Sequence, residues 1–207
     1  HGAMDEVGAF AGPLVVAAII GTTGLIAPAM AWLAIPGALC MALLFWLSAK
    51  IPTELGSKPP TPSGRGWWAE TIGTHLGRPF FLFAACSALT TAGLVTFGVI
   101  SFHLDAAQLI PLAAIPIAYA TGQATSGLVA LANGFAYDRV GARVLYVLPL
   151  LVTLVPVLAF TRSPWVAVAG VLCWGAASGL QDSTVKALVA DLVEPDRRAT
   201  AYGVFAA

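Results

Sequence analysis

The sequence predicts an all-α fold: a polytopic bundle of transmembrane helices with six spans and the start of a seventh. Three observations predict it. Of 207 residues, 58% are hydrophobic and only 10% charged, where a soluble domain carries about 25% charge. No Asp, Glu, Lys or Arg occurs within residues 7–23, 25–49, 79–102, 106–137, 144–161 or 163–181. Each run reaches the roughly 17–25 residues that cross a hydrocarbon core as a helix. The runs are also continuous, with neither the polar face of a soluble core helix nor the apolar–polar alternation of a barrel strand.

The first run follows Asp5 and Glu6 rather than a basic region, and five more runs follow it. It is therefore a span and not a signal peptide. Gly8 and Gly12, four apart and followed by Pro13, form a candidate helix-packing motif, because small residues let helix backbones approach. The second run has almost no polar side chains, so it is expected to face lipid. Residues 50–78 are rich in Pro, Gly, Ser and Thr and contain Trp67 and Trp68. They read as a linker between two membrane bundles, with the Trp pair at the lipid headgroups. Two spans precede it and four follow.

The third run carries Thr90 and Thr91. The fourth, over residues 106–133, carries Gln108, Tyr119, Thr121, Gln123, Thr125 and Ser126. The fifth is as bare as the second and is likewise expected to face lipid. The sixth carries Trp174, Ser178 and Gln181, continues into Asp182 and Lys186, and has its own small pair, Gly175 and Gly179. Polar groups inside a membrane are costly without partners, so the fourth and sixth spans are expected to face protein or an aqueous cavity. The chain closes on ATAYGVFAA, too short to cross a bilayer. It is read as the opening of a seventh span, and the chain as a piece of a longer one.

Nine of the ten basic residues fall on one side of the six alternating spans; Arg162 is the exception. By the positive-inside rule the nine mark the cytoplasm. A zero net charge gives no reason to expect a nucleic-acid partner. Cys40, Cys86 and Cys173 lie in three different runs without redox or metal-ligand spacing, so they read as packing residues.

One polar knot interrupts the apolar runs: NGFAYDRVGAR, with Gly134, Asp138, Arg139, Gly141 and Arg143. Gly134 suits a close approach or a bend, and Gly141 a positive φ in a short turn. Asp138 can accept hydrogen bonds at the start of the next helix, and the arginines can pair with carboxylates or helix-end carbonyls. Such contacts would hold one conformational state and break in another; a solvated turn obeying the positive-inside rule is the plainer alternative. Asp182 and Lys186, four apart with the acid first, share a helix face. They are candidates for coupling or gating if they lie within the membrane, and a surface pair if they do not. Gln123, Thr90, Thr91, Trp174, Ser178 and Gln181 are candidate cavity-lining residues, with interhelical packing as the alternative. His103 and Asp105 are expected to be solvated.

GFAYDRVGAR resembles the major facilitator superfamily signature G-x-x-x-D-R/K-x-G-R-R/K, departing from it at Ala142. In that family the motif occupies the cytoplasmic turns between helices two and three and between eight and nine. GAFAGPL, residues 8–14, resembles the helix-five motif of the family's proton antiporters, although Val16 and Ala17 stand where a Gly pair usually follows. GLQDSTVKALVADLVEPDRRATAYGVF, residues 179–205, is similar to the stretch joining helices ten and eleven in a bacterial branch. GAFAG recurs as GVFAA at residues 203–207, as expected of matching helices in two parallel six-helix repeats.

The resemblance implies a partial major facilitator fold covering helices five to ten of twelve and the start of eleven. Residues 1–49 would be the last two spans of the N-terminal half, 50–78 the central cytoplasmic linker, and 79–207 a truncated C-terminal half. It also implies a secondary transporter of a small-molecule solute in the inner membrane, monomeric when complete. Protons are the candidate coupling ion, and Asp5 and Glu6 are candidate partners for Arg139 or Arg143. No phosphate-binding Gly loop, nucleophile–base set or metal-ligand spacing occurs, so no cofactor and no enzyme activity are expected. A membrane sensor or scaffold without transport is the other class on this fold.

Overall fold

In hydrocarbon every backbone amide must find its partner within the protein, which drives long uncharged runs into helices. The structure is a computed structural model that describes residues 2–50 and 78–192, without the side chains of residues 2–7, 79, 186, 187 and 189–192. The linker over residues 51–77 with Trp67 and Trp68, the side chains of Asp5 and Lys186, and the opening of a seventh span lie outside the described residues. The helices are α1 (Gly2–Thr23), α2 (Ile26–Trp32), α3 (Ala34–Lys50), α4 (Arg78–Gly93), α5 (Phe97–Ala106), α6 (Ala114–Val140), α7 (Val147–Ala159) and α8 (Pro164–Leu192). A 3-10 stretch, Gly141–Tyr146, joins α6 to α7, and no strand occurs among the described residues.

Two of the six apolar runs are interrupted, each for a local reason. The second breaks at Leu33, where Pro36 has no N–H to donate to the carbonyl of Trp32. The third breaks after Gly93, with Thr96 extended at φ −68° and ψ 147°. Glycine followed by two β-branched residues within three positions is a weak helix sequence. Among the described residues, three segments are long and apolar enough to cross a membrane: Ile26–Lys50, Phe80–Ala106 and the 46-residue Ala114–Ala159.

That last segment holds two passes, because the chain reverses at Gly141. Gly122 and Ser126 of α6 meet Gly175 and Gly179 of α8 in ascending order, so α6 and α8 run parallel. Ala159 of α7 meets Gly170, while Leu148 and Val152 cluster with Ala177 and Leu180, so α7 runs antiparallel to α8. Gly93 lies against Val152 and His103 against Thr161, which sets α4 and α5 parallel to α7. Successive passes therefore alternate in direction.

The core is a set of thin apolar seams between helices. Ile100 and Leu104 of α5, Val155 and Ala159 of α7, and Ala167 and Val171 of α8 form the best-buried one. Leu148, Val152, Ala177 and Leu180 form a second, and Val16, Ile20 and Ala29 a third. In α2 and α3 only Ala29 is buried, in keeping with a lipid-facing span. The fifth span departs from that expectation. Leu148, Val152, Val155 and Ala159 line up at helical spacing and are buried, while Val147, Leu150, Leu154, Val157 and Phe160 are exposed. A span with almost no polar residues, here Thr153 alone within α7, reads much the same on both faces, so the sequence alone could not tell that one face of α7 packs.

Candidate functional site

The knot is built where α6 ends. Gly141 closes the helix at φ 62° and ψ −149°, a region open to glycine and strained for any residue with a Cβ. The chain then takes the 3-10 stretch and enters α7. Asp138 and Arg139 stand in the last turn of α6, and Arg143 stands in the 3-10 stretch; all three are exposed. Asp138 ends the helix that precedes the turn, where Arg139 and not a carboxylate suits the helix dipole. One expectation changes here. Gly134 marks neither a bend nor a close contact: α6 runs through it, and a Cβ there would meet nothing within 4 Å.

In the half of α6 away from this turn, α6 and α8 come into close backbone contact. A Cβ on Gly175 would overlap the Gly122 carbonyl group, 2.8 Å from its carbon, and one on Gly179 would overlap that of Ser126 at the same distance. α8 thus lies with its backbone directly on that of α6. Further toward the turn, the buried Asn133 of α6 donates from Nδ2 to Ser183 Oγ at 2.7 Å and Thr184 Oγ1 at 2.8 Å. Gly8 and Gly12 behave differently, since a Cβ on either meets nothing within 4 Å among the described residues. Near Pro13, α1 instead uses Val16 and Ile20 for its packing.

A second polar group joins α4 to α8. Gln181 donates from Nε2 to the hydroxyl of Thr91, which donates in turn to the Ser87 carbonyl at 2.9 Å. Thr90 also donates to that carbonyl, at 2.8 Å. Gln181 Oε1 is buried and has no partner among the described residues. Ser178 donates back to the Trp174 carbonyl at 3.0 Å. Trp174 joins Phe97 and Tyr119 in a three-ring cluster, with centroids 5.4 Å and 5.9 Å from Trp174 and 4.8 Å between the other two. Gln123 is half-buried one turn past Tyr119. The structure thus gathers Thr91, Gln181, Trp174 and Ser178 along one side of α8 and brings Tyr119 of α6 to it. Asp182 is exposed on the next turn, and Lys186 lies four residues further along α8.

Several participants are not evident from sequence. Asn133 closes a polar stretch and stands out there only as an amide inside an apolar run, which is itself a signal. Phe97 carries no signal at all. His103 was expected to be solvated, but its Nε2 lies 3.1 Å from the Thr161 carbonyl and its ring meets Phe160 edge-on at 5.2 Å. Gln108 lies outside α6, in the preceding turn at φ 51°. No group of three or more His, Cys, Asp or Glu residues placed to hold a metal occurs among the described residues.

An alternating bundle of apolar helices, with a charged Gly-flanked turn and an uncharged polar strip inside, defines a multi-pass membrane protein. The chain belongs to the Major Facilitator Superfamily, whose family model matches residues 1–207. It is 45% identical over 213 aligned positions to an uncharacterized protein of Mycobacterium bovis, with all of this chain and 51% of that protein covered. Uncharacterized proteins from two strains of Mycobacterium tuberculosis match with the same identity and coverage. The chain thus spans about half the length of these relatives. No solved structure matches it.

Proposed function

We propose that this chain is the central part of a secondary transporter that moves a small solute across the inner membrane by alternating access. The observation that carries the reading is the family match over the whole chain, with GFAYDRVGAR at the reversal between two packed helices. In this reading the chain supplies helices five to ten, and the turn that carries Asp138, Arg139 and Arg143 faces the cytoplasm and gates. Asp5, on the facing half, is a candidate partner for Arg139 or Arg143. Thr90, Thr91, Gln123, Trp174, Ser178 and Gln181 line the solute path. The strip between α4 and α8 supports this, because a buried acceptor with no described partner, Gln181 Oε1, suits a place where a solute donor arrives. Asp182 and Lys186 are the candidates for proton coupling.

The test is reconstitution of the complete protein in vesicles, with solute uptake screened under an imposed pH gradient. Uptake that follows the gradient and falls at least about tenfold in Asp138→Asn is expected if the turn contributes a state-specific contact worth about 1.4 kcal/mol. Asp182→Asn should abolish the dependence on the gradient while leaving downhill exchange. Absence of flux for every solute, with the protein shown to be folded, would refute the reading.

A further inference from the structure

Where Gly175 meets the Gly122 carbonyl and Gly179 that of Ser126, α6 and α8 touch backbone on backbone. Trp174 of α8 also lies against Gly122 and Tyr119 of α6, an apolar contact that carries no directional bond. Asn133 supplies a directional one. It is 4% exposed, and its amide reaches two adjacent hydroxyls on α8 at 2.7 Å and 2.8 Å. Those hydroxyls are themselves oriented by donating to α8 carbonyls, Ser183 to Gly179 at 2.6 Å and Thr184 to Leu180 at 2.7 Å. A fork-shaped donor set on two aimed acceptors fixes rotation and register together.

Stability does not account for the asparagine. Its Oδ1 is buried and has no partner among the described residues, and an apolar side chain there would leave no unpaired acceptor. Asn133 also directly precedes Gly134, and α6 continues unbroken to Val140. A rotation of α6 at Asn133 is therefore carried rigidly to Asp138 and Arg139, five and six residues further on. Asn133 thus ties α6 to α8 within two turns of helix from the charged residues.

We infer that Asn133 is a positioning residue. By pinning α6 to Ser183 and Thr184 it sets where the charged turn stands, and the pin releases when the turn changes state. The unpaired Oδ1 gives the same residues a second arrangement. If the amide turns over, Oδ1 accepts from the Ser183 and Thr184 hydroxyls once these leave their own carbonyls. The inference rests on the gating role proposed for the turn.

The test uses the complete protein in native membranes, with Cys40, Cys86 and Cys173 replaced by Ala and one reporter, Ala142→Cys, on the exposed turn. The readout is its rate of labelling by a membrane-impermeant maleimide. Asn133→Leu is expected to change that rate by about threefold or more at an unchanged or raised unfolding temperature. Ser183→Ala with Thr184→Val should give the same change, and combining all three substitutions should add nothing. A lowered unfolding temperature with an unchanged rate, or additive effects in the combination, would overturn the inference. Asp138→Asn separates the two levels. If it alters labelling and Asn133→Leu does not, the positioning role fails and the gating turn stands. If Asp138→Asn leaves labelling unchanged, both fail.

Discussion

Gly175→Val should separate α6 from α8 and leave a protein that unfolds far below the native temperature in detergent. The cause is geometric. The first carbon of any side chain at residue 175 would lie 2.8 Å from the Gly122 carbonyl carbon and closer still to its oxygen, and these nearest contacts are all main-chain atoms. Main chain cannot rotate aside as a flexible side chain can, so the helices must part. Overpacking in a well-fitted core costs about 1–3 kcal/mol and sometimes more, and valine at this site belongs at the upper end. Gly179→Val meets the Ser126 carbonyl at the same distance and should behave alike. Gly12→Ala is the matched control. A Cβ at residue 12 would meet nothing within 4 Å among the described residues, and helix propensity alone favours alanine by about 0.5–1 kcal/mol. Thermal unfolding followed by intrinsic fluorescence orders the three variants, and a Gly175→Val protein as stable as the parent would contradict this contact.

Gly141→Ala is expected to have the next largest effect, through the backbone and not through packing. Its Cβ would meet nothing within 4 Å, yet its φ of +62° is combined with a ψ of −149°. For a residue with a Cβ that region costs about 1–3 kcal/mol. The chain avoids the cost by moving residue 141 toward ordinary dihedrals, which displaces the 3-10 stretch and the charged turn. Both stability and reporter labelling at the turn should therefore change. Stability and labelling equal to the parent would show that the reversal does not depend on this backbone state.

These two glycines mark what was legible in the sequence. Gly141 followed from a charged Gly-flanked knot between long apolar runs, because a short reversal needs a residue free to take positive φ. The helical class and the six passes followed from the spacing of charge alone. Helix contacts were harder to read. In a membrane bundle the inside of a helix is no more apolar than its outside, so α7 gave no sign of which face packs. Two small-residue pairs looked alike in the sequence, yet Gly175 and Gly179 press on α6 while a Cβ at Gly8 or Gly12 would meet no described residue. Small residues permit an approach, and the neighbouring helix decides whether one occurs. Polar residues formed a single set of candidates for the solute path. Their division into a strip around Gln181 and a pin at Asn133 depends on which helix each one faces, and that is a three-dimensional fact.

Alternating access can be measured directly at Thr91. In a cysteine-free background, Thr91→Cys would be labelled by an impermeant maleimide from the cytoplasmic side in inverted vesicles and from the outer side in right-side-out membranes. Labelling from both sides is expected, with the two rates moving in opposite directions when Asp138→Asn is added. Labelling from one side only, in parent and variant alike, would contradict alternating access.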